Sequence, residues 1–354
     1  MNDVAPTISV IICAYTEERW TDLVAAVASI QQQRTPPCET IVVIDHNLSL
    51  LARARNQLPG IVVIENVELR GLSGARNSGI AAARGTYIAF LDDDAIAEPD
   101  WLTWLSHYCE NSQVLGVGGK VEPLWSGKQP TWFPEEFYWV TGCSYRGLPE
   151  TMAVVRNPYG GCTCYRREVF EVVGGFRHGI GRVGKRPLGG EETELCIRAR
   201  QYWPQKIFIC EPRATIQHRI SIYRASWHYF CSRCYAEGLS KAIITRYVSK
   251  QDTLASERTY VQRTLPQGIV RGLTDTFVQH DLTGLKRASA IVAGLAVTMT
   301  GYLIGRAMQQ LATLKSIITR EKGVHHSSKI LPPIAFKPRN TADTPDTSIL
   351  VRER

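Results

Sequence analysis

The sequence has no G-x-G-x-x-G run after its first apolar segment, which removes the dinucleotide-binding fingerprint. Structural zinc is not expected either. Cys162 and Cys164 form one close pair and Cys231 and Cys234 another, but neither has a second ligand pair at suitable spacing. There is no internal repeat. No basic stretch precedes the first apolar run, Ile8 to Cys13, and that run is too short for a signal-peptide core. The 10 cysteines are therefore expected in reducing surroundings, as small buried hydrophobes. No nucleic-acid-binding module pattern appears. The net charge of +8 is spread along the chain, with concentrations at Arg177–Arg186 and in the C-terminal tail. Such a balance points to a membrane surface or phosphorylated small molecules rather than nucleic acid. A hydrophobic content of 44% and a charged content of 21% are those of a globular protein.

What is present is an alternation. Ile8–Ala14, Thr40–Ile44, Ile61–Glu65 and Tyr87–Leu91 are short and rich in Val and Ile, as buried strands are. Trp20–Gln31, Leu50–Asn56 and Ser73–Ala83 lie between them and have helical composition and spacing. This order predicts an α/β fold with a parallel sheet and helices on both faces. A later strand, Leu115–Val121, and a helix, Glu191–Gln201, extend the same layers. Ligands of open α/β sheets sit beyond the carboxyl ends of the strands, so chemistry is sought there. After about residue 225 the texture changes. Trp227–Val248 reads as one amphipathic helix, and Ala288–Gly305 has no charged side chain. Beyond Gly323 the chain is rich in Pro, Ser, Thr and Lys, and a disordered tail is expected.

The strongest chemical signal is Asp92-Asp93-Asp94, directly after the fourth strand. Three like charges at a strand end are costly unless something positive sits among them. Carboxylate oxygens suit hard divalent cations such as Mg²⁺ or Mn²⁺, which bridge nucleotide phosphates. A solvated acidic loop is the plain alternative. Ala14-Tyr15-Thr16-Glu17 follows the first strand and Asp45-His46-Asn47 the second. A ring can stack on a base and a carboxylate can accept from a base or ribose, although Thr16 and Asn47 would serve equally as helix caps. Gly71-Leu-Ser-Gly-Ala-Arg-Asn-Ser-Gly79 is read as a loop into a helix capped by Ser73. It offers Arg76 and Asn77 on the first helical turn, where a diphosphate or base is contacted.

In this order these four elements resemble those of the family 2 nucleotide-sugar glycosyltransferases of the GT-A fold, over roughly residues 7 to 225. The resemblance implies that Tyr15, Glu17, Asp45 and Arg76 contact the nucleoside and diphosphate. Asp92 and Asp94 are then the outer carboxylates of a D-x-D element, with Asp94 the metal ligand, Asp92 the ribose contact and Asp93 between them. Gly160-Gly161-Cys-Thr-Cys-Tyr-Arg166 and Val173-Gly-Gly-Phe176 look like the family's acceptor-side glycine elements. Gly190-Glu-Glu-Thr-Glu-Leu-Cys-Ile-Arg198 is similar to its E-D-x-D-L-x-x-R helix start, which implies Glu192 as the base, with Glu in place of the usual Asp and Glu191 as an alternative. The resemblance further implies that His218 meets the diphosphate or the metal.

The expected protein is therefore a GT-A domain over residues 1–225, a helical membrane-facing extension over 226–322, and a tail over 323–354. It would transfer one sugar with inversion from a nucleotide-sugar donor, UDP first, to a glycan or polyprenyl-phosphate-linked acceptor. A nucleotidyltransferase would need a basic Gly-rich loop after the first strand, where Glu17 and Glu18 stand instead. The Q-x-x-R-W element of processive synthases is absent. The aromatic run from Trp125 to Trp139 suits sugar stacking, lipid contact or a core helix. The loop Arg177–Arg186 is expected to close over phosphate. The basic residues flanking 288–305 place both ends on the cytoplasmic side, so that segment is expected to lie in the membrane interface.

Overall fold

A computed structural model describes residues 6–182, 188–245 and 257–321. Its first half runs β1 (Ile8–Ala14), α1 (Trp20–Gln31), β2 (Glu39–Ile44), α2 (Leu48–Gln57), β3 (Val62–Glu65), α3 (Leu72–Ala82) and β4 (Tyr87–Asp92). β1, β2 and β4 are almost wholly buried because helices cover both faces of the sheet, which is why they read as continuous apolar runs. They pair in parallel in the order β3-β2-β1-β4. Their carboxyl ends therefore share one edge, and Tyr15, Asp45 and the Asp92–Asp94 run meet there. Thr16 and Asn47 do act as caps, accepting from the Glu18 and Leu50 amides. Ser73 does not: its hydroxyl donates 2.7 Å to the Ile180 carbonyl, and Gly71 takes the cap position.

The parallel arrangement stops at β4. The second half runs β5 (Ala95–Ala97), α4 (Trp101–Ser106), β6 (Val114–Trp125), β7 (Ala153–Val155), β8 (Cys162–Arg166), α5 (Arg167–Val173), α6 (Glu191–Tyr202) and β9 (Ile207–Ile220). β8 pairs antiparallel with both β4 and β6, making the sheet mixed. The Gly160–Arg166 segment, the first of the expected glycine elements, thus contains a central strand after its two glycines. β9 runs parallel to β6 and antiparallel to β5. That register sets His218 opposite Ala95, one residue from Asp94. Apolar residues fill both sides of the sheet, with Ile12, Leu23 and Trp101 in one core and Ile11, Phe90 and Phe170 in the other.

Among the described residues three α-helices follow: α7 (Trp227–Ile244), α8 (Leu265–Val278) and α9 (Leu282–Glu321). Positions 246–248 of the expected Trp227–Val248 helix lie outside the described residues, as does the tail from 323. The uncharged stretch 288–305 lies within α9, which is longer than that stretch at both ends. α9 packs backbone to backbone on α7. A Cβ at Gly238 would collide with the Thr298 carbonyl, and one at Gly301 with that of Tyr235. Phe133 and Phe137 join Phe230 and Ile291 in a third core. These members of the aromatic run are the joint between sheet and helices rather than an open platform. The other face of α9 stays apolar and exposed at Leu285, Val292, Met299 and Leu303. Within it, Leu282–Leu311 is long and apolar enough to cross a membrane.

Candidate active site

The strand ends, the start of α6 and the C-terminal helices enclose one cavity of about 900 Å³. Tyr15, Asp45, Arg76, Asp92, Asp93, Asp94, Glu191, Glu192 and His218 all line it. Two predicted residues do not. Glu17 sits in a one-turn 3-10 helix beside Arg53, 3.8 Å away. Asn77 is buried and spent inside the protein: it exchanges hydrogen bonds with the Phe176 backbone at 2.8 and 2.9 Å and donates to Glu68. The second glycine element serves this contact, since a Cβ at Gly175 would strike the Asn77 amide.

Asp45 is largely engaged as well. It accepts from Asn66 at 2.7 Å and from the Gly71 amide at 3.0 Å, and shares a bond with His46 at 2.9 Å. It therefore shapes the loop that opens α3 while presenting one edge of the carboxylate to the cavity.

The Asp92–Asp94 run is surrounded by cations, of which Arg19 and Arg224 were not singled out by the sequence reading. Arg19 lies 2.8 Å from Asp93 and 3.1 Å from Asp94. Arg224 reaches Asp94 at 3.3 Å, and His218 Nε2 reaches it at 3.0 Å. Arg182 also lines the cavity and feels the Asp92 and Asp94 charges. Burial would raise the Asp94 carboxyl, but His218, Arg224 and Arg19 hold it well below the usual range. Asp93 is deeply buried and is pushed up to about 7 against the pull of Arg19. For His218 burial works downward, yet Asp94 lifts the imidazole to about 10. Its other nitrogen faces Cys143 Sγ at 3.9 Å.

Asp92, Asp94 and His218 each bring a ligand atom, and these atoms lie within 4.8 Å of one another. Two carboxylates and an imidazole are a donor set that Mn²⁺ accepts, and Mg²⁺ through the oxygens. A second oxygen nearby, Asp93 Oδ2, is buried without a hydrogen-bond partner among the described residues. The residues fit a divalent cation, provided that its binding displaces the proton on His218 Nε2. Gly161 belongs to the same arrangement, because a Cβ there would occupy the position of the Asp92 carboxylate.

The same cavity is lined by the start of α6, which opens with Glu191 and Glu192. Arg76 is buried between the two acidic groups, 2.8 Å from Glu192, 3.2 Å from Glu191 and 4.0 Å from Asp92. It is thus committed to protein carboxylates. Burial and the neighbouring Glu192 push Glu191 up to about 7, against Arg76. Glu191 Oε2 has no hydrogen-bond partner among the described residues. Of the loop Arg177–Arg186, residues 183–186 lie outside the described residues. Its beginning is held in place: Arg177 pairs with Glu194 at 3.0 Å and His178 with Glu68 at 2.9 Å.

The sequence profile of Glycosyl transferase family 2 matches residues 9–174. A glucosyl-dolichyl phosphate glucuronosyltransferase of Haloferax volcanii is 32% identical over 303 residues, 84% of this chain and 96% of its own. The chain belongs to glycosyltransferase family 2. A pre-mycofactocin glycosyltransferase of Mycobacterium tuberculosis is 25% identical over 255 residues, 70% of this glycosyltransferase and 48% of its own length. Among solved structures, the Pyrobaculum calidifontis mannosyltransferase PcManGT, determined with GDP-Man and Mn²⁺, superposes with a TM-score of 0.53 at 17% identity. The match covers 87% of this chain and 90% of the other. The glycosyltransferase thus has the GT-A architecture with a C-terminal helical region, as its motifs implied.

Proposed function

We propose that this glycosyltransferase moves one sugar, with inversion, from a nucleoside-diphosphate donor, UDP first, to a lipid-phosphate-linked acceptor at the cytoplasmic face of a membrane. One observation carries the reading: a single cavity is lined by Asp92, Asp94 and His218 together with Glu191 and Glu192. A displacement at an anomeric carbon needs a charge-compensated leaving diphosphate on one side and a proton acceptor on the other. Asp92, Asp94 and His218 would hold the divalent cation, which when bound offsets the charge of the leaving group. Tyr15 and Asp45 line the end of the cavity suited to the nucleoside. Arg19, Arg182 and Arg224 add positive charge where phosphates gather.

Glu192 is the proposed base. It faces the cavity, and Arg76 orients it by a 2.8 Å hydrogen bond. A second assignment, Glu191, is favoured by two properties, its elevated proton affinity and its unpartnered Oε2. The lipid-linked acceptor is supported by the name of the Haloferax volcanii relative and by the exposed apolar face of α9. One face of α9 is packed on α7 and α8 and the other is bare, which suits a helix resting in the interface.

The test is a donor screen, following hydrolysis and transfer from UDP-, GDP- and dTDP-sugars with Mn²⁺ or Mg²⁺. Turnover of one nucleotide class, lost on adding excess chelator, is the expected result; full activity in chelator defeats the metal assignment. Carbonate and high-salt washes of membranes address location. Release by either supports an interfacial helix, resistance to both indicates a span, and a wholly soluble protein removes the membrane reading.

A further inference from the structure

The cavity does not end at the catalytic carboxylates. It continues along one face of α7, where Arg233, Glu237 and Lys241 follow one another at helical spacing. Arg233 is 9% exposed. Its Nη1 lies 3.3 Å from Glu237, a carboxylate it shares with Lys241 at 3.4 Å. Its Nε has no hydrogen-bond partner among the described residues. A buried guanidinium N–H with no acceptor is costly to maintain, and the planar edge it belongs to matches the oxygens of a phosphate. This cation is separate from the cluster at Asp94. By the rise of a helix it stands roughly 9 Å along α7 from the first residue, Trp227.

The adjoining wall is of the opposite kind. Leu295, Met299 and Leu303 of α9 line the same cavity. Met299 is 55% and Leu303 63% exposed, so the wall leaves the cavity and joins the bare apolar face of the helix. Besides the catalytic carboxylates, the cavity therefore offers a buried cation and a strip of hydrocarbon open to the outside. Few molecules match that pairing of surfaces other than a phosphate ester of a long apolar alcohol.

We propose that Arg233 anchors the phosphate of an amphiphilic acceptor and that Met299 and Leu303 carry its apolar chain out of the cavity. This rests on the glycosyl-transfer reading above. It adds a specificity-determining residue that neither the motifs nor the D-x-D geometry contains.

The experiment is calorimetric binding to the full-length protein of farnesyl phosphate below its aggregation limit, farnesol and inorganic phosphate, each without donor. Binding of UDP with Mn²⁺ is measured in parallel. Wild type should bind farnesyl phosphate at least about tenfold more tightly than either other probe. Arg233→Gln should weaken farnesyl phosphate by roughly 10–100-fold, the range for a lost charge-assisted hydrogen bond, and leave farnesol unchanged. Arg233→Lys should recover part of the loss, and Leu303→Glu should bring farnesyl phosphate down toward inorganic phosphate. Equal affinity of wild type and Arg233→Gln for farnesyl phosphate overturns the anchor. Equal affinity of wild type for inorganic and farnesyl phosphate overturns the lipid path, leaving a site for soluble phosphate. Wild-type preference for farnesyl phosphate over farnesol is independent of how any variant folds. Should UDP fail to bind wild type while farnesyl phosphate binds as described, the transfer reading falls and the anchor stands.

Discussion

The two acidic clusters of the cavity have opposite surroundings. Asp94 sits among His218, Arg19 and Arg224, and its proton affinity is driven far down. Glu191 and Glu192 share one arginine, and Glu191 is driven up to about 7. The residue types are alike, so the difference lies in the ratio of cations to carboxylates at similar burial. In the first cluster Asp94 stays anionic at any physiological pH and suits charge compensation, although buried Asp93 beside it is pushed up to about 7. In the second, Glu191 is a proton acceptor near neutrality, the property that favours it as the alternative to Glu192.

The sharpest way to break this contrast is at Asp94. Asp94→Asn should reduce transfer on the order of 10³-fold, as for removal of a dominant electrostatic stabiliser, and weaken nucleotide binding. It also leaves two buried cations, His218 and Arg224, short of a counter-charge, so unfolding free energy should drop by about 3 kcal/mol in urea titrations. An unchanged midpoint would mean that the cations are satisfied elsewhere. Next in size is the base. Glu192→Gln should lower turnover roughly 10²–10⁴-fold while UDP affinity holds. If Glu191→Gln gives that pattern and Glu192→Gln does not, the base moves by one residue.

Gly161→Ala tests the geometry rather than the charge of the first cluster. The added methyl displaces the Asp92 carboxylate, and a misplacement near 1 Å costs about 10²-fold in rate. A near-normal rate would show that Asp92 has room to yield. The smallest effect concerns Glu191 and pH. Its folded value, about 7, is above the ordinary 4.5. The stability it contributes is therefore complete below about pH 4.5 and lost as pH rises through 7. Glu191→Gln should raise the melting temperature at pH 8 by roughly 2–4 °C and leave pH 5 nearly unchanged. Equal shifts at both pH values would assign the gain to something other than titration.

The local part of this design could be read directly. β1 and α1 fall on the expected residues because their apolar pattern is complete within each segment. The Asp92–Asp94 run announces itself by following a buried strand. What escaped reading depends on pairing between distant strands. Nothing near Cys162 says that β8 enters antiparallel between β4 and β6, and that insertion makes the sheet mixed. Arg224 reaches Asp94 only because β9 runs antiparallel to β5, and an isolated arginine after a strand carries no signal of its own. Arg19 had a weak one, a basic residue four places after Tyr15 in an otherwise acidic turn. Asn77 misled in the opposite direction: its place in the motif suggested a ligand contact, whereas its amide holds the Phe176 backbone.

The contact of Gly238 with Thr298, and of Gly301 with Tyr235, has a mechanical meaning. Helices separated by side chains can slide as rotamers change; two backbones in van der Waals contact move as one rod. The helix that forms the outer apolar face and the helix that walls the cavity are thereby one rigid lever. Whatever surface the bare side of α9 rests on, the mouth of the cavity stands at a fixed height above it.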